Sequence, residues 1–274
     1  GTGKTPHVEY LVELLKDEFS VATLSRGYLR KSRGFRIVET SSAVRDVGDE
    51  PRQLKKKYPD ITVAVDRRRV NGLKKLSAPE REIDVAILDD AFQHRYVRPG
   101  KSIVLMDYKR LVQDDFLLPA GRLREQRSGI RRANTILITR SPERIKPIEL
   151  RNIVKRMKLE MHQHLFFTAM EFLDFRPVYE IEHQKQASWF KEQGVPLLLL
   201  TGIANPRSLR NYARSISTKF SEMRFPDHHR YTKKDLFRIE RRFDELRHPG
   251  ALILTTEKDA MRLQDLDPPE KIKN

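Results

Sequence analysis

Two short clusters in this chain combine residue types suited to handling phosphate. GTGKTP at the very front (Gly1, Thr2, Gly3, Lys4, Thr5, Pro6) opens a helix predicted over residues 6–18. A glycine-rich turn entering a helix N-terminus aims backbone N–H groups at an anion, and the helix dipole adds partial positive charge. Lys4 is placed to reach β- and γ-phosphates, and the Thr5 hydroxyl to ligate Mg²⁺. The full loop signature needs a residue five before Gly3, which precedes the first residue here. Alone, GKT reads as readily as a helix-capping turn.

The second cluster is DVAILDDAFQHR, residues 84–95. An apolar strand ending in carboxylate is the arrangement that holds a metal ion or its waters, which nominates Asp89 and Asp90. Two adjacent carboxylates repel unless a cation is near, although either could instead cap a helix. A third motif, VGDEP, sets Asp49 and Glu50 between glycine and proline, which on residue types alone is ordinary helix capping. A fourth, FPDHHRY, carries His228 and His229 in a polar loop. No third ligand sits at metal spacing, so an imidazole that orients a catalytic carboxylate is the more interesting reading. Arginines gather in SRGYLRKSRG (residues 25–34) and PAGRLRE (residues 119–125), the second containing Arg124 and Glu125. Solvated loop charge accounts for most of them, but arginine is also the residue for fork-like recognition of phosphate oxygens.

Positioning these groups requires a frame. Apolar runs at residues 19–24, 61–65, 84–88, 102–106 and 134–139 each close on a polar residue, as strands buried on both faces of a parallel sheet do. Helical stretches at 6–18 and 147–158 alternate with them, which predicts a doubly wound, mainly parallel α/β fold with functional groups at the strands' carboxyl ends. After residue 173 the pattern changes. Extended segments at 175–179 and 182–188 read as a linker. A second, smaller α/β unit follows, with strands at 196–201 and 251–255 and helices at 206–215 and after residue 256. The predicted domains are residues 1–185 and 186–274.

The 274 residues carry 54 Lys plus Arg against 38 Asp plus Glu, a net charge of +16, which draws polyanions such as anionic lipid or phosphorylated substrates. The absence of cysteine excludes disulfides and thiolate metal sites. No run approaches the roughly 20 apolar residues of a membrane-spanning helix.

Together GTGKTP, LSRGYLR, VGDEP, LDDAFQHR, LLPAGRLRE, TGIANP, FPDHHRY and TTEKDA resemble one family, the tetraacyldisaccharide 4′-kinases of lipid A biosynthesis, in its motif order. The resemblance implies a P-loop NTPase-like α/β domain joined to a smaller one, and transfer of the ATP γ-phosphate to the 4′-hydroxyl of a tetraacylated disaccharide 1-phosphate. It implies ATP and Mg²⁺ as cofactors, bound through Gly1 to Pro6, with Thr5, Asp89 and Asp90 on the metal. It also implies Asp49 as base assisted by His228, and Arg124 and Glu125 near the acceptor. The expected partners are the acylated disaccharide phosphate lipid and an anionic membrane surface, with no nucleic acid. The enzyme is expected to act as a monomer, peripheral on the cytoplasmic face of the bacterial inner membrane. Family members begin with a hydrophobic helix and a strand leading into the phosphate loop. Both are missing ahead of Gly1, so the fragment itself is expected to be poorly active.

A different P-loop enzyme on a soluble phosphorylated substrate is the alternative. A basic nucleic-acid-binding module fits less well, because the charges are scattered and no aromatic RNA-binding signature is present. If Asp49 is the base, Asp49→Ala in the full-length enzyme lowers turnover by about 10²–10⁴-fold and leaves ATP affinity nearly intact. Unchanged turnover removes Asp49 from that role.

Overall fold

Apolar runs of four or five residues form most strands of three small sheets, and polar residues that close those runs emerge at their ends. The computed structural model describes residues 2–179, 187–217, 219–266 and 268–269. In chain order it begins with α1 (Lys4–Leu15), β1 (Val21–Ser25), β2 (Arg36–Ile37), α2 (Val44–Val47) and α3 (Asp49–Lys57). Next come β3 (Thr62–Val65), α4 (Arg69–Leu76), β4 (Val85–Leu88), β5 (Ile103–Asp107) and β6 (Thr135–Thr139). The remainder is α5 (Pro147–Met157), β7 (His164–Thr168), α6 (Ala187–Gln193), β8 (Leu197–Thr201), α7 (Arg207–Ile216), β9 (Phe220–Arg224), α8 (Lys233–Asp244), β10 (Leu252–Thr255) and α9 (Glu257–Leu263).

The chain forms two compact units. The first comprises residues 1–26, 33–38 and 59–171, and the second 27–32, 39–58 and 172–274. The expected domain border near residue 185 lies outside the described residues. So does most of the predicted linker at 182–188, although α6 already begins at Ala187.

In the first unit the strands expected of one sheet are hydrogen-bonded as two. One has the order β2-β3-β1-β4, parallel except for the short β2, and the other is the parallel set β5-β6-β7. Leu73 and Leu76 of α4 pack on Ala22, Leu24 and Ala64, while Ile153 and Met157 of α5 cover Met106, Ile136 and Ile138. Arg69 is 1% exposed and donates to the carbonyls of Asp66 (2.6 Å) and Asp89 (3.0 Å). It thereby pins the carboxyl ends of β3 and β4 together.

In the second unit the parallel order is β10-β8-β9. All five residues of β8 are buried, and they alternate. Leu198 and Leu200 face Leu236 and Ile239 of α8, whereas Leu197 and Leu199 face Ala213 and Ile216 of α7. An apolar run with no polar face is thus explained by helices on both sides. The short strands β7 and β9 carry too weak an apolar pattern to be read beforehand.

Leu199→Ala opens a cavity in a strand covered on both faces. It is expected to cost about 2–5 kcal/mol in denaturant unfolding, against roughly 0.5 kcal/mol or less for Leu173→Ala at an exposed position. Equal costs would show that β8 is not the core of its unit.

Candidate active site

The first unit gathers its phosphate-handling residues around the start of α1. The helix begins at Lys4, earlier than the predicted residue 6, and Gly3 caps it in the left-handed region (φ +82°). Only glycine takes that conformation without strain, and no side chain occupies the cap. The N–H groups of the first turn are therefore left for an outside acceptor. Three contacts hold this turn. Thr139 Oγ1, at the end of β6, donates to the Thr2 carbonyl at 2.9 Å. The His7 ring bridges the Gly3 carbonyl (Nδ1, 2.7 Å) and the Thr168 hydroxyl at the end of β7 (Nε2, 3.1 Å). Lys4 Nζ lies 3.5 Å from Asp90 Oδ1, just beyond β4. The turn carrying Lys4 and the acids after β4 therefore occupy the same end of the sheets. Gly1 lies outside the described residues.

Arg124 donates to both carboxylate oxygens of Asp90, at 2.8 and 2.9 Å. Glu125 accepts from Gln93 Nε2 at 3.1 Å and from Arg132 at 2.8 Å. The loops bearing DDAFQHR and PAGRLRE are thus stitched together by two polar pairs. Burial pushes the Asp90 carboxyl up, but the Arg124 hydrogen bond and the Lys4 charge outweigh it and hold the group below the usual range. Among the described residues no cluster of three or more His, Cys, Asp or Glu could hold a metal alone. A hydroxyl at Thr5 and carboxylates at Asp89 and Asp90, beside an anion-ready helix end, fit instead a Mg²⁺ that takes most of its ligands from water and nucleotide phosphates.

The second unit contains the other predicted pair. Gly48 adopts φ +97°, and a Cβ there would lie 3.3 Å from the Tyr28 carbonyl, so glycine is needed to start α3 at Asp49. Asp49 is 4% exposed. His228 Nδ1 lies 3.2 Å from its Oδ2, and the His228 ring stands edge-on to Tyr28 at 5.1 Å. His229 turns away: Nε2 meets Asp235 Oδ2 at 3.1 Å beside the capping box of α8, and its ring stacks on Phe225. The two histidines therefore have separate tasks, one toward Asp49 and one in the local fold.

Sequence reasoning missed the cations that make this arrangement possible. Arg262 of α9 grips Asp49 through both Nη2 and Nε, the latter at 3.1 Å. Arg262 in turn donates to Asp259 at 2.9 Å and to the Gly202 carbonyl at 3.2 Å. Asp259 is completely buried and also accepts from the Gly202 N–H and the Tyr231 hydroxyl. Lys258 donates to Glu50 at 3.0 Å and sits 3.3 Å from His228 Nε2. Burial alone would raise the Asp49 carboxyl. The His228 hydrogen bond and the charges of Lys258 and Arg262 reverse that and hold it well below the ordinary carboxylate range. The available signal was TTEKDA, where charged residues follow an apolar strand just as DD follows β4.

A depressed carboxyl contributes stability above its unfolded pKa of about 3.9, and that contribution fades as pH falls toward the folded value. Arg262→Gln removes a buried guanidinium from two buried carboxylates. It is expected to cost about 3–5 kcal/mol at pH 7 in chemical denaturation, with the gap to wild type closing below about pH 4. A pH-independent gap would show that the loss is packing and not charge.

Comparison with known proteins agrees with the geometry. The model of the tetraacyldisaccharide-1-P 4′-kinase family matches residues 1–273. A tetraacyldisaccharide 4′-kinase of Bacteroides thetaiotaomicron is 44% identical over 270 residues, covering 96% of this chain and 71% of the relative. One from Bacteroides fragilis is 46% identical over 279 residues, covering 97% and 73%. Among solved structures, the "apo" form of LpxK from Aquifex aeolicus in complex with ATP aligns with TM-score 0.68 at 30% identity, covering 96% of this chain and 76% of that one. The phosphate-ready turn, the acids beyond β4 and the family match along nearly every residue lead to one assignment: the chain belongs to the tetraacyldisaccharide-1-P 4′-kinase family.

Proposed function

We propose that this chain transfers the γ-phosphoryl group of ATP to the 4′-hydroxyl of a tetraacyldisaccharide 1-phosphate, a step of lipid A biosynthesis. The approach of Lys4 to Asp90 at the open start of α1 carries the proposal, in a chain that matches the kinase family from end to end. Gly1, Thr2, Gly3, Lys4, Thr5 and Pro6 are assigned to the nucleotide, and Thr5, Asp89 and Asp90 to magnesium. When bound, Mg·ATP supplies the phosphoryl donor and much of the charge neutralisation that phosphoryl transfer depends on. Lys4 and the α1 N-terminus add fixed positive charge without reorganising. Arg124 orients Asp90 and, with Glu125, is assigned to the acceptor side.

Asp49 and His228 are assigned to the acceptor's proton. A carboxylate held by Arg262 is a weak base at rest, and this favours reading the two as a pair. Asp49 fixes the imidazole through Nδ1, and the more accessible His228 ring shares the proton that the hydroxyl gives up. In this reading residues 1–185 form the kinase domain and 186–274 the smaller domain, to which the segment bearing Asp49 is lent.

Among the described residues no helix is long and apolar enough to cross a membrane. The net charge of +16 supports peripheral attachment to the anionic cytoplasmic face of the bacterial inner membrane, at about 1 kcal/mol for each well-placed Lys or Arg.

Label from γ-³²P-ATP is expected on the lipid disaccharide and not on a soluble sugar phosphate, with Lys4→Ala lowering the rate by about 10²-fold or more. Equal labelling of the soluble sugar would replace this reading with a soluble-substrate kinase.

A further inference from the structure

Helix α7 presents Arg207, Arg210, Asn211 and Arg214 at spacing i, i+3, i+4 and i+7, which aligns them along one face. Arg224, the last residue of β9, joins them at the carboxyl end of that strand, and the turn at Asn205 and Pro206 closes the front. These residues line a cavity of about 350 Å³ whose lining contains no acidic side chain. Glu222 balances one of the four guanidiniums, accepting from Arg210 Nη2 at 2.7 Å. The Nε–H of that same arginine is buried without a partner among the described residues. Arg214 lies over the Phe220 ring at 5.4 Å, which steadies its position without cancelling its charge.

Like charges one turn apart on a helix repel, so this row is destabilising unless something neutralises it. Two residues before the lining begins at Ala204, Gly202 donates to Asp259 and accepts from Arg262, which fixes the chain as it enters this loop. Planar guanidiniums match the oxygens of phosphate, and several converging on one space suit an anion with several oxygens. Cavities beside a helix start at the carboxyl end of parallel strands are the usual ligand position in such folds.

We propose that this arginine-lined cavity is a separate phosphate-binding site, taking the phosphate of a lipid headgroup or of a free phosphate compound. It uses none of the residues assigned to phosphoryl transfer and stands independently of that assignment.

The test measures inorganic phosphate binding by calorimetry, and flotation with phosphatidylcholine vesicles containing phosphatidylglycerol, at constant ionic strength. Saturating Mg²⁺ and a non-hydrolysable ATP analogue keep phosphate from the α1 turn. Wild type is compared with Arg207→Gln/Arg214→Gln and with Arg151→Gln/Lys155→Gln, which removes equal charge from exposed positions on α5. Saturable phosphate binding is expected, weakened about tenfold or more in the α7 pair and unchanged in the α5 pair. Vesicle binding that falls in parallel identifies a lipid headgroup as the source, and vesicle binding that persists identifies free phosphate. Non-saturable binding, equal loss in both pairs, or wild-type affinity in the α7 pair overturns the proposal. Circular dichroism checks folding, and Arg224→Gln alone applies the same criterion should the α7 pair unfold.

Discussion

Burying the Asp49 carboxylate is the act on which the second unit is organised. A lone carboxylate at 4% exposure would protonate or unfold its surroundings. Arg262 prevents that by gripping it, but Arg262 is itself 6–7% exposed and needs its own compensation. Asp259 provides it, and Asp259 is satisfied by Tyr231, the Gly202 N–H and Thr256. The Tyr231 hydroxyl is held protonated far above its ordinary range, by burial first and then by the neighbouring Asp259 charge. Each group answers a debt left by the one before it, which is how buried polar networks come to be all-or-none. The consequence for chemistry is that Asp49 is ionised over the whole physiological range and anchored in place. It is suited to orienting His228 and to meeting a developing positive charge.

The first unit differs in leaving the start of α1 without a side-chain cap, so that its first backbone N–H groups stay available. A helix start can be left uncapped only if other contacts hold it still. Thr139 bonds the Thr2 carbonyl and His7 the Gly3 carbonyl, with Thr168 holding the far side of the His7 ring, and the N–H donors of the turn stay available. Arg69 performs the corresponding task beneath the acids: it spends its charge on the carbonyls of Asp66 and Asp89 and leaves the Asp90 carboxylate to Arg124 and Lys4. The basic excess of the chain is therefore not uniform. Arg69 is structural, Arg262 sets a carboxylate, and of the α7 arginines around the cavity only Arg210 has a carboxylate partner among the described residues.

Much of this was legible in the residues. The alternation of short apolar runs with helices announced a parallel α/β fold, because strands covered on both faces have no polar side to show. GTGKTP and DDAFQHR could be nominated because phosphate and metal chemistry constrain residue type and spacing within a few positions. The same locality hid β7 and β9, whose half-buried residues mix Phe with His, Ser, Glu and Arg. It also hid the division of the strands into separate sheets, since hydrogen-bond pairing between strands leaves no mark within any one of them.

Sequence by itself determined the fold class and nominated the glycine-rich turn into α1 and the residues proposed to handle phosphate, metal and proton, whereas the left-handed backbone at Gly3 and Gly48 came from the structure. Tertiary structure alone decided that Asp49, more than 200 positions before Arg262, would share its fate with that arginine. It decided too that His228 and His229 would point to different partners, and that Arg224 would join the arginines of α7 around one space. The reason is physical. Local chemistry acts over neighbouring residues, whereas the desolvation that governs a buried charge depends on whatever the folded chain brings within a few ångströms of it.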